Sequence, residues 1–177
     1  MRYPTPQHLK EILDPHARQC TASQLQGAVL CPCGSYVHSL LYVAGRVEDE
    51  RGQPYLQVIE VDGRYLFCLG AKCAACGAEH LLYDDRFHGW NGYVCGSEEE
   101  REHDRPPWLE WHCPTCDGAP HKITLTIQGE DARSIIPESD GILTSANWQE
   151  GFSFLSVDLT CTACKKSPVE VVSLETM

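Results

Sequence analysis

The chain has 177 residues, and 25 acidic side chains against 14 basic ones give it a formal net charge of −11. This balance disfavours nucleic acid as a partner, because binding to a phosphate backbone is driven by Lys and Arg side chains that displace counterions. No apolar run is long enough to cross a membrane, and no apolar stretch follows Met1-Arg2-Tyr3-Pro4 as it would in a signal peptide. We therefore expect a cytoplasmic protein without membrane association.

Residues 1–30 contain no close cysteine pair, and they are predicted to form a short N-terminal helical arm. Thr5-Pro6 resembles a helix start with proline at the first helical position. Asp14-Pro15 would end this helix, and a second short helix is predicted to run through Leu25. The apolar residues that would share one face of the first helix are Leu9, Ile12 and Leu13.

Four close cysteine pairs dominate the remainder of the chain. A Cys-x-x-Cys turn aims two sulfurs at one point, and a second turn brought in by folding completes a tetrahedron around zinc. The first two pairs are predicted to share one structural Zn²⁺, and the last two pairs a second one. The predicted ligands are Cys31, Cys33, Cys73 and Cys76 for the first site, and Cys113, Cys116, Cys161 and Cys164 for the second.

Disulfide bonds and redox chemistry are the rival interpretations of these cysteines. Disulfides suit secreted chains, and thiols in a reducing compartment are more often metal ligands. A redox pair would lie at a strand-to-helix junction, whereas strand patterns flank these pairs. Cys68 remains an alternative ligand, because only one residue separates Cys31 from Cys33. His112 lies next to Cys113 and could also substitute as a ligand, but with eight cysteines available it is not needed. Otherwise we expect Cys68 in the core and Cys95 as an exposed thiol, with Cys20 unassigned.

The cysteine pairs also form an internal repeat. When Cys33 is aligned with Cys116, His38 falls on His121, each five residues further along. When the second pairs are aligned, the strand residues that coincide are Leu66-Phe67 and Phe154-Leu155. Each half thus has the same order of elements: a close cysteine pair with its turn, here called a knuckle, then a strand, an insert, a strand, a second knuckle and a last strand. An internal repeat of this kind is stronger evidence for a fold than local sequence patterns are. The equivalence of the two histidines predicts a structural role, such as a hydrogen bond to a knuckle.

This arrangement resembles tandem zinc ribbons over residues 31–83 and 113–174. The resemblance is one of architecture and ligand spacing, and it implies structural zinc without a particular activity. Small units of this kind bury too little apolar surface to be stable alone, and metal binding supplies the missing free energy of folding. Two four-thiolate sites would lower the net charge to about −15.

We therefore predict a mainly β fold of two tandem zinc-ribbon units related by internal duplication, with the helical arm in front. Its divisions are an arm at 1–30, a first ribbon with an extra loop at 31–95, a charged linker at 96–112 and a second ribbon at 113–177. Trp108 and Trp111 are expected to pack the linker against the second ribbon.

Local patterns place the strands within these units. The predicted strands cover residues 36–43, 55–61, 64–69, 80–83, 123–127, 153–159 and 169–174. The first is apolar on both faces, which predicts burial on both sides, and Asp62-Gly63 predicts a two-residue hairpin turn. Gly34 and Gly77 suit a knuckle that needs positive φ, whereas Lys165 replaces glycine after the last knuckle.

The loop of residues 80–95 has no counterpart in the second half of the repeat. Because both halves need nearly the same residues for folding, we expect this added loop to serve the function of the protein. Its aromatic residues can anchor an interface, and its carboxylates add to a negative field that would steer a basic partner. We predict a protein–protein interaction module that binds a basic protein partner, without catalysis. The predicted partner-binding residues are Asp84, Asp85, Arg86, His88, Trp90 and Tyr93.

Two alternatives stay open. The first is a metal-assisted hydrolase in which carboxylates and imidazoles of this loop serve as ligands or as general acid and base. Its candidate residues are His80, Asp84, Asp85 and His88. The second is a nucleic-acid-binding zinc ribbon with a local basic patch. The four-thiolate sites themselves leave no open coordination position for catalysis.

Overall fold

The computed structural model describes residues 2–61, 63–166 and 168–176. Within these ranges the protein is mainly β, and its helical segments are short. The strands are β1 (Leu13–Pro15), β2 (Gln24–Val29), β3 (His38–Val43), β4 (Gly45–Glu48), β5 (Pro54–Gln57), β6 (Ile59–Val61), β7 (Arg64–Leu66), β8 (Cys68–Cys73), β9 (Glu79–Asp84), β10 (Leu109–Glu110), β11 (Pro120–Gln128), β12 (Phe154–Cys161) and β13 (Val169–Glu175). The helices are α1 (Glu98–Arg101), α2 (Ala132–Glu138), the 3₁₀ turns Gln7–Leu9 and Trp148–Gly151, and the π-helical segment Trp90–Cys95.

Nine of the described strands form one curled antiparallel sheet. Its main path runs β1-β2-β11-β3-β8-β9, while β12 and β13 continue from β11 on its other edge. The edge of β11 that faces the first half is shared: His121 pairs with His38 of β3, and Thr124 pairs with Ala28 of β2. Strand β11 thereby joins the two predicted ribbons through main-chain hydrogen bonds. The hairpins β4–β5 and β6–β7 form separate two-stranded sheets.

One hydrophobic core lies against this sheet. Leu40 and Leu69 enter it from the first half, Leu125 and Val157 from the second, and all four are at most 1% exposed. Each such side chain contributes roughly 1.5–3 kcal/mol by leaving water. The core therefore spans both halves of the chain.

The N-terminal helical arm is the clearest error of the sequence prediction. A 3₁₀ turn, Gln7–Leu9, replaces the first helix, and the next residues form β1, whose Leu13 pairs with Val29. The predicted second helix lies at the start of β2, which alternates between buried and partly buried residues as a strand does. Pairing with a distant strand outweighs a weak local helical pattern.

The other strand predictions hold with adjusted bounds. Strand β3 is buried along nearly all its length, as expected for that part of residues 36–43, whereas Tyr36 lies before the strand and is exposed. The stretch 55–61 is divided between two hairpins as β5 and β6, and 64–69 is divided at Phe67 into β7 and the start of β8. Val61 pairs with Arg64 across a tight turn in which Gly63 has φ of +77°; Asp62 lies outside the described residues.

The charged linker folds back on the first half. It begins with α1, which Ser97 and Glu100 close with a reciprocal capping box. Strand β10 then pairs with β3, and the main-chain N–H of Trp111 donates to the main-chain carbonyl of Leu40 at 2.9 Å. The expectation that the tryptophans pack on the second ribbon is therefore wrong, because β3 offers a free edge there. Among the described residues, no helix is long and apolar enough to cross a membrane.

Candidate functional site

Four sulfurs converge at the end of β8. The Sγ atoms of Cys31 and Cys76 lie 3.6 Å apart, as do those of Cys33 and Cys73, and all four lie within 4.8 Å of one another. Zinc–sulfur bonds of about 2.3 Å in a tetrahedron separate the sulfurs by about 3.8 Å, whereas a disulfide holds them at about 2.05 Å. The group could hold a metal ion, and the spacing is that of a zinc site.

A second group of four sulfurs lies at the end of β12. Here Cys113 is 3.7 Å from Cys164, and Cys116 is 3.5 Å from Cys161. The structure thus groups the cysteines by halves of the chain, without a crossed arrangement. Cys68 lies outside both groups, so the proposal that it replaces a ligand of the first pair is wrong.

The residue after each knuckle adopts the left-handed conformation. Gly34 and Gly77 have φ of +90° and +75°, and their counterparts Asp117 and Lys165 have +58° and +53°. In all four turns this residue's N–H donates to the carbonyl of the first cysteine, at 2.8 to 3.1 Å. The second half therefore keeps the same turn without glycine, although a left-handed side-chain-bearing residue costs about 1–2 kcal/mol.

His38 and His121 hold equivalent positions in the sheet. His38 pairs with Cys73 across β3–β8, and His121 pairs with Cys161 across β11–β12. Both are buried, and burial lowers the pKa of each, so both stay neutral at pH 7. His121 Nδ1 lies 2.5 Å from the Ala119 carbonyl, whereas both ring nitrogens of His38 lack a partner among the described residues.

His80 belongs to the first metal centre. Its Nε2 lies 3.4 Å from the Sγ of Cys31, and an N–H held against a thiolate orients the ligand and tunes its charge. The sequence assigned His80 to the hydrolase alternative instead. The signal that could have revealed its position is its spacing of four residues from Cys76, which places it on the strand leaving the knuckle.

The other hydrolase candidates are separated from His80 and serve different contacts. Both carboxylate oxygens of Asp84 accept from the Arg86 guanidinium, at 2.9 and 2.6 Å. The ring of His88 stacks on His8 with centroids 3.7 Å apart, and its Nδ1 accepts the Asp84 N–H. Burial lowers the pKa of His8 to about 4; burial and the neighbouring His8 lower that of His88 to about 3.

Cys68, Asp84 and Asp85 form a third close group. Burial alone would raise the pKa of Asp84, but hydrogen bonds from Arg86 outweigh it and hold that pKa below its ordinary value. Burial and the charge of Asp84 raise the pKa of Asp85 to about 7, and burial likewise raises that of the Cys68 thiol. Because Arg86 already occupies both oxygens of Asp84, this group is a buried ion pair beside a carboxyl, Asp85, whose pKa lies near neutral pH.

The aromatic residues of the loop pack toward the second half. The main-chain N–H of Trp90 donates to the main-chain carbonyl of Phe152 at 3.0 Å, and the Tyr93 hydroxyl accepts from the Asn147 side chain at 3.2 Å. Both side chains are partly buried. The role of the loop residues in contacting a partner stays a prediction. Of the three other cysteines, Cys68 is buried and Cys95 is exposed, as predicted, and Cys20 is intermediate.

Comparison of the chain with models of protein families, with curated proteins and with solved structures finds no match. The two four-cysteine groups, which are consistent with zinc-binding sites, are thus the features from which a function can be proposed. Each group has four protein ligands, so a bound ion would have no free position for a substrate.

Proposed function

We propose that the protein binds two structural zinc ions and acts as an acidic interaction module for a basic protein partner in a reducing compartment. The observation that carries the metal assignment is the spacing of sulfurs, 3.5 to 3.7 Å in both groups, which matches the edge of a zinc tetrahedron. Closed four-thiolate coordination favours a structural role over catalysis.

The proposal includes two ribbons derived from one duplicated unit. The first ribbon follows the N-terminal arm and covers residues 31–95, and the second follows the linker and covers residues 113–177. Two matching irregularities support it. The pairing of β8 with β9 shifts register between Leu69 and Gly70, and that of β12 with β13 shifts between Val157 and Asp158. In both halves the shift lies four residues before the cysteine that ends the strand. A bulge is a specific feature of a strand pair, so its recurrence at one position favours common descent.

The interaction surface is proposed to consist of the loop 84–93 and the adjoining helix α1. Asp85, Arg86, Trp90 and Tyr93 keep part of their surface in solvent, whereas Asp84 and His88 are buried and shape the loop. In the segment 96–105 that follows the loop, the exposed acidic side chains are Glu98, Glu99, Glu100, Glu102 and Asp104. Such a concentration of negative charge steers a basic partner and speeds association at low salt.

The metal part is tested by native mass spectrometry of the purified chain before and after chelation. Two zinc ions per chain and loss of folded signal on chelation are expected, because metal binding energy at such sites is folding energy. One ion per chain, or a fold that survives complete zinc removal, contradicts the two-site proposal.

The partner part is tested with labelled Lys- and Arg-rich peptides, with acidic peptides and with duplex DNA as comparisons. Binding confined to basic peptides and weakened by salt is expected. The double variant Glu99→Lys with Glu102→Lys should reduce it. Glu48→Lys with Glu50→Lys is the matched control, since it makes the same charge change at another exposed site. Equal effects of the two double variants would show attraction by net charge alone, and binding of DNA would favour the nucleic-acid alternative.

A further inference from the structure

A cleft of about 780 Å³ lies where the inserted segments of the chain meet. Its walls are the β6–β7 hairpin, the residues after β9, the segment from Gly96 to Pro106 and the C-terminal end of β13. Ligand pockets typically measure about 300–1,000 Å³, so the cleft has the size of a small-molecule site. It is separate from both cysteine groups.

The base of the cleft is apolar. Phe67 and Tyr83, exposed by 0% and 2%, place their rings in edge contact with centroids 6.1 Å apart. Leu66 and Leu174 also line this part of the cleft. Unlike the two rings, Leu66 and Leu174 keep part of their surface in solvent, and an apolar surface of this kind favours a ligand with an apolar body.

Unpartnered polar groups collect around the same cleft. In the described part of the chain six buried side-chain nitrogen and oxygen atoms lack a hydrogen-bond partner, and three belong to its lining residues. These atoms are Oδ1 of Asp85, Nε2 of His103 and Nη1 of Arg105. A buried polar group that is left unpaired destabilises the folded chain, and a ligand that pairs with it removes that penalty. These three residues place one carboxylate and two donor groups on the partly buried wall of the cleft. Apart from Arg86, the other charged lining residues are exposed: Arg64, Glu100, Asp104 and Glu175.

The residues that carry these groups are held in place. Arg86 bonds the His103 carbonyl as well as Asp84, and Arg101 donates to the Gly92 carbonyl at 2.7 Å. The Arg105 guanidinium lies 3.3 Å from the ring centroid of Trp108. Arg86 is neutralised by Asp84, and Arg64 is exposed. Arg105 and His103 are therefore the partly buried donors left for an anionic group of a ligand. A fixed set of this kind binds at low entropic cost.

We propose that this cleft binds a small zwitterion with an apolar body, such as an amino acid or short peptide with free ends. Its ammonium group pairs with Asp85, its carboxylate faces Arg105 and His103, and its side chains lie on Leu66 and Leu174. An ammonium group beside Asp85 would favour the ionised carboxylate, whose pKa burial and Asp84 raise to about 7 in the free protein. This site shares Asp85 and Arg86 with the loop surface proposed above, but its occupant is a small molecule held in the cleft; Glu99 and Glu102, which the basic-peptide assay alters, do not line it.

The test is isothermal titration calorimetry of the zinc-loaded full chain with three matched probes. These are the dipeptide leucyl-phenylalanine with free ends, its N-acetyl form and its C-terminal amide. The free dipeptide is expected to bind at least tenfold more tightly than either blocked form, because each block removes one charged contact. Asp85→Asn should abolish the preference for a free amine, and Arg105→Gln the preference for a free carboxylate. Glu48→Gln, at an exposed site outside the lining of the cleft, should change neither.

Three results would overturn the proposal. These are absence of heat with every probe up to about 10 mM, equal affinity for the three probes, and unchanged selectivity in both cleft variants. The first indicates a cleft filled by water only. Retained zinc content and circular dichroism show that each variant is folded. Since the basic-peptide assay uses residues of α1, its failure and that of the dipeptide titration can be told apart.

Discussion

His38 and His121 lie opposite each other in the antiparallel pair of β3 with β11, and each pairs on its other side with a cysteine of a four-sulfur group. Cys73, His38, His121 and Cys161 therefore form one row across four adjacent strands. With neighbouring strands about 4.8 Å apart, this row is about 14 Å long. Because β8 and β12 run in opposite directions across this row, the turns that follow Cys73 and Cys161 leave it on opposite sides. The histidine pair lies between the two sulfur groups and is the contact through which one group can affect the other.

Replacing Cys161 with Ser tests how far that coupling extends. Loss of one ligand should release the second ion, because metal affinity depends on the full ligand set. We expect amide hydrogen exchange to lose protection in β11, β12 and β13, and next in β2, which pairs with β11. Strands β8 and β9 should keep most of theirs, since β3 pairs with β8 along its whole length.

The control for this experiment is Cys95→Ser, which removes an exposed thiol outside both groups. It should leave exchange unchanged. Equal loss of protection in β8 and β9 after Cys161→Ser would mean that the sheet unfolds as one unit, and the division into two ribbons at residues 95 and 112 would then have no energetic basis.

The metal-site geometry was accessible from sequence because it depends on short-range patterns. A cysteine pair and the turn that holds it occupy four or five residues, so spacing alone predicts which sulfurs can converge. The positive φ of Gly34 and Gly77 followed from the same local argument. Position 165 shows its limit, since the turn geometry there persists with lysine.

The long-range pairing was not accessible in this way. Leu9, Ile12 and Leu13 are all buried as an amphipathic helix would require, but spacing cannot show that β2 offers Leu13 a hydrogen-bonded partner instead. Likewise, nothing local indicates that β11 would pair with both β2 and β3. Sheet contacts between distant segments depend on the whole fold, and the cleft bordered by Asp85 and Arg105 arises from them.

Lys165→Gly should stabilise the protein. Lys165 has φ of +53°, and removing its Cβ relieves about 1–2 kcal/mol of strain while the more flexible unfolded chain offsets part of it. We expect a net gain of about 0.5–1 kcal/mol in urea unfolding at saturating zinc. Lys166→Gly is the control, because that residue is exposed and lacks a positive φ; it should be neutral or destabilising. A loss of stability in Lys165→Gly would mean that its side chain makes a contact worth more than the strain.

Mild acid should destabilise the protein through the stacked pair of His8 and His88. Their pKa values are lowered to about 4 and about 3, from about 6.5 in an unfolded chain. Between these limits the unfolded chain binds protons that the folded one excludes, so stability falls as pH falls below about 6.5. Each histidine contributes at most about 1.4 kcal/mol per pH unit.

The variant His88→Asn isolates this effect, because asparagine keeps an acceptor for the Asp84 N–H and does not titrate. Asp85, with its pKa raised to about 7, contributes a slope of opposite sign in both proteins and so cancels in the comparison. Urea unfolding between about pH 7 and 5.5, with zinc content checked at each step, should give a shallower slope for the variant by up to about 1.4 kcal/mol per unit. Identical slopes would contradict the assignment to the stack.

Asp84→Asn should destabilise the protein by about 3–5 kcal/mol, because it leaves the Arg86 guanidinium buried without its counter-charge. The side chains of this pair are only 4% and 11% exposed, and Arg86 also holds the linker through the His103 carbonyl. Glu79→Gln is the matched control: its pair with Lys72 is 3.7 Å long and about half exposed, so it should cost under about 1 kcal/mol. Urea unfolding at saturating zinc measures both. If the two variants cost the same, Asp84 is not a stabilising residue of the fold, and the sequence-based prediction that it contacts a partner becomes the better account of it.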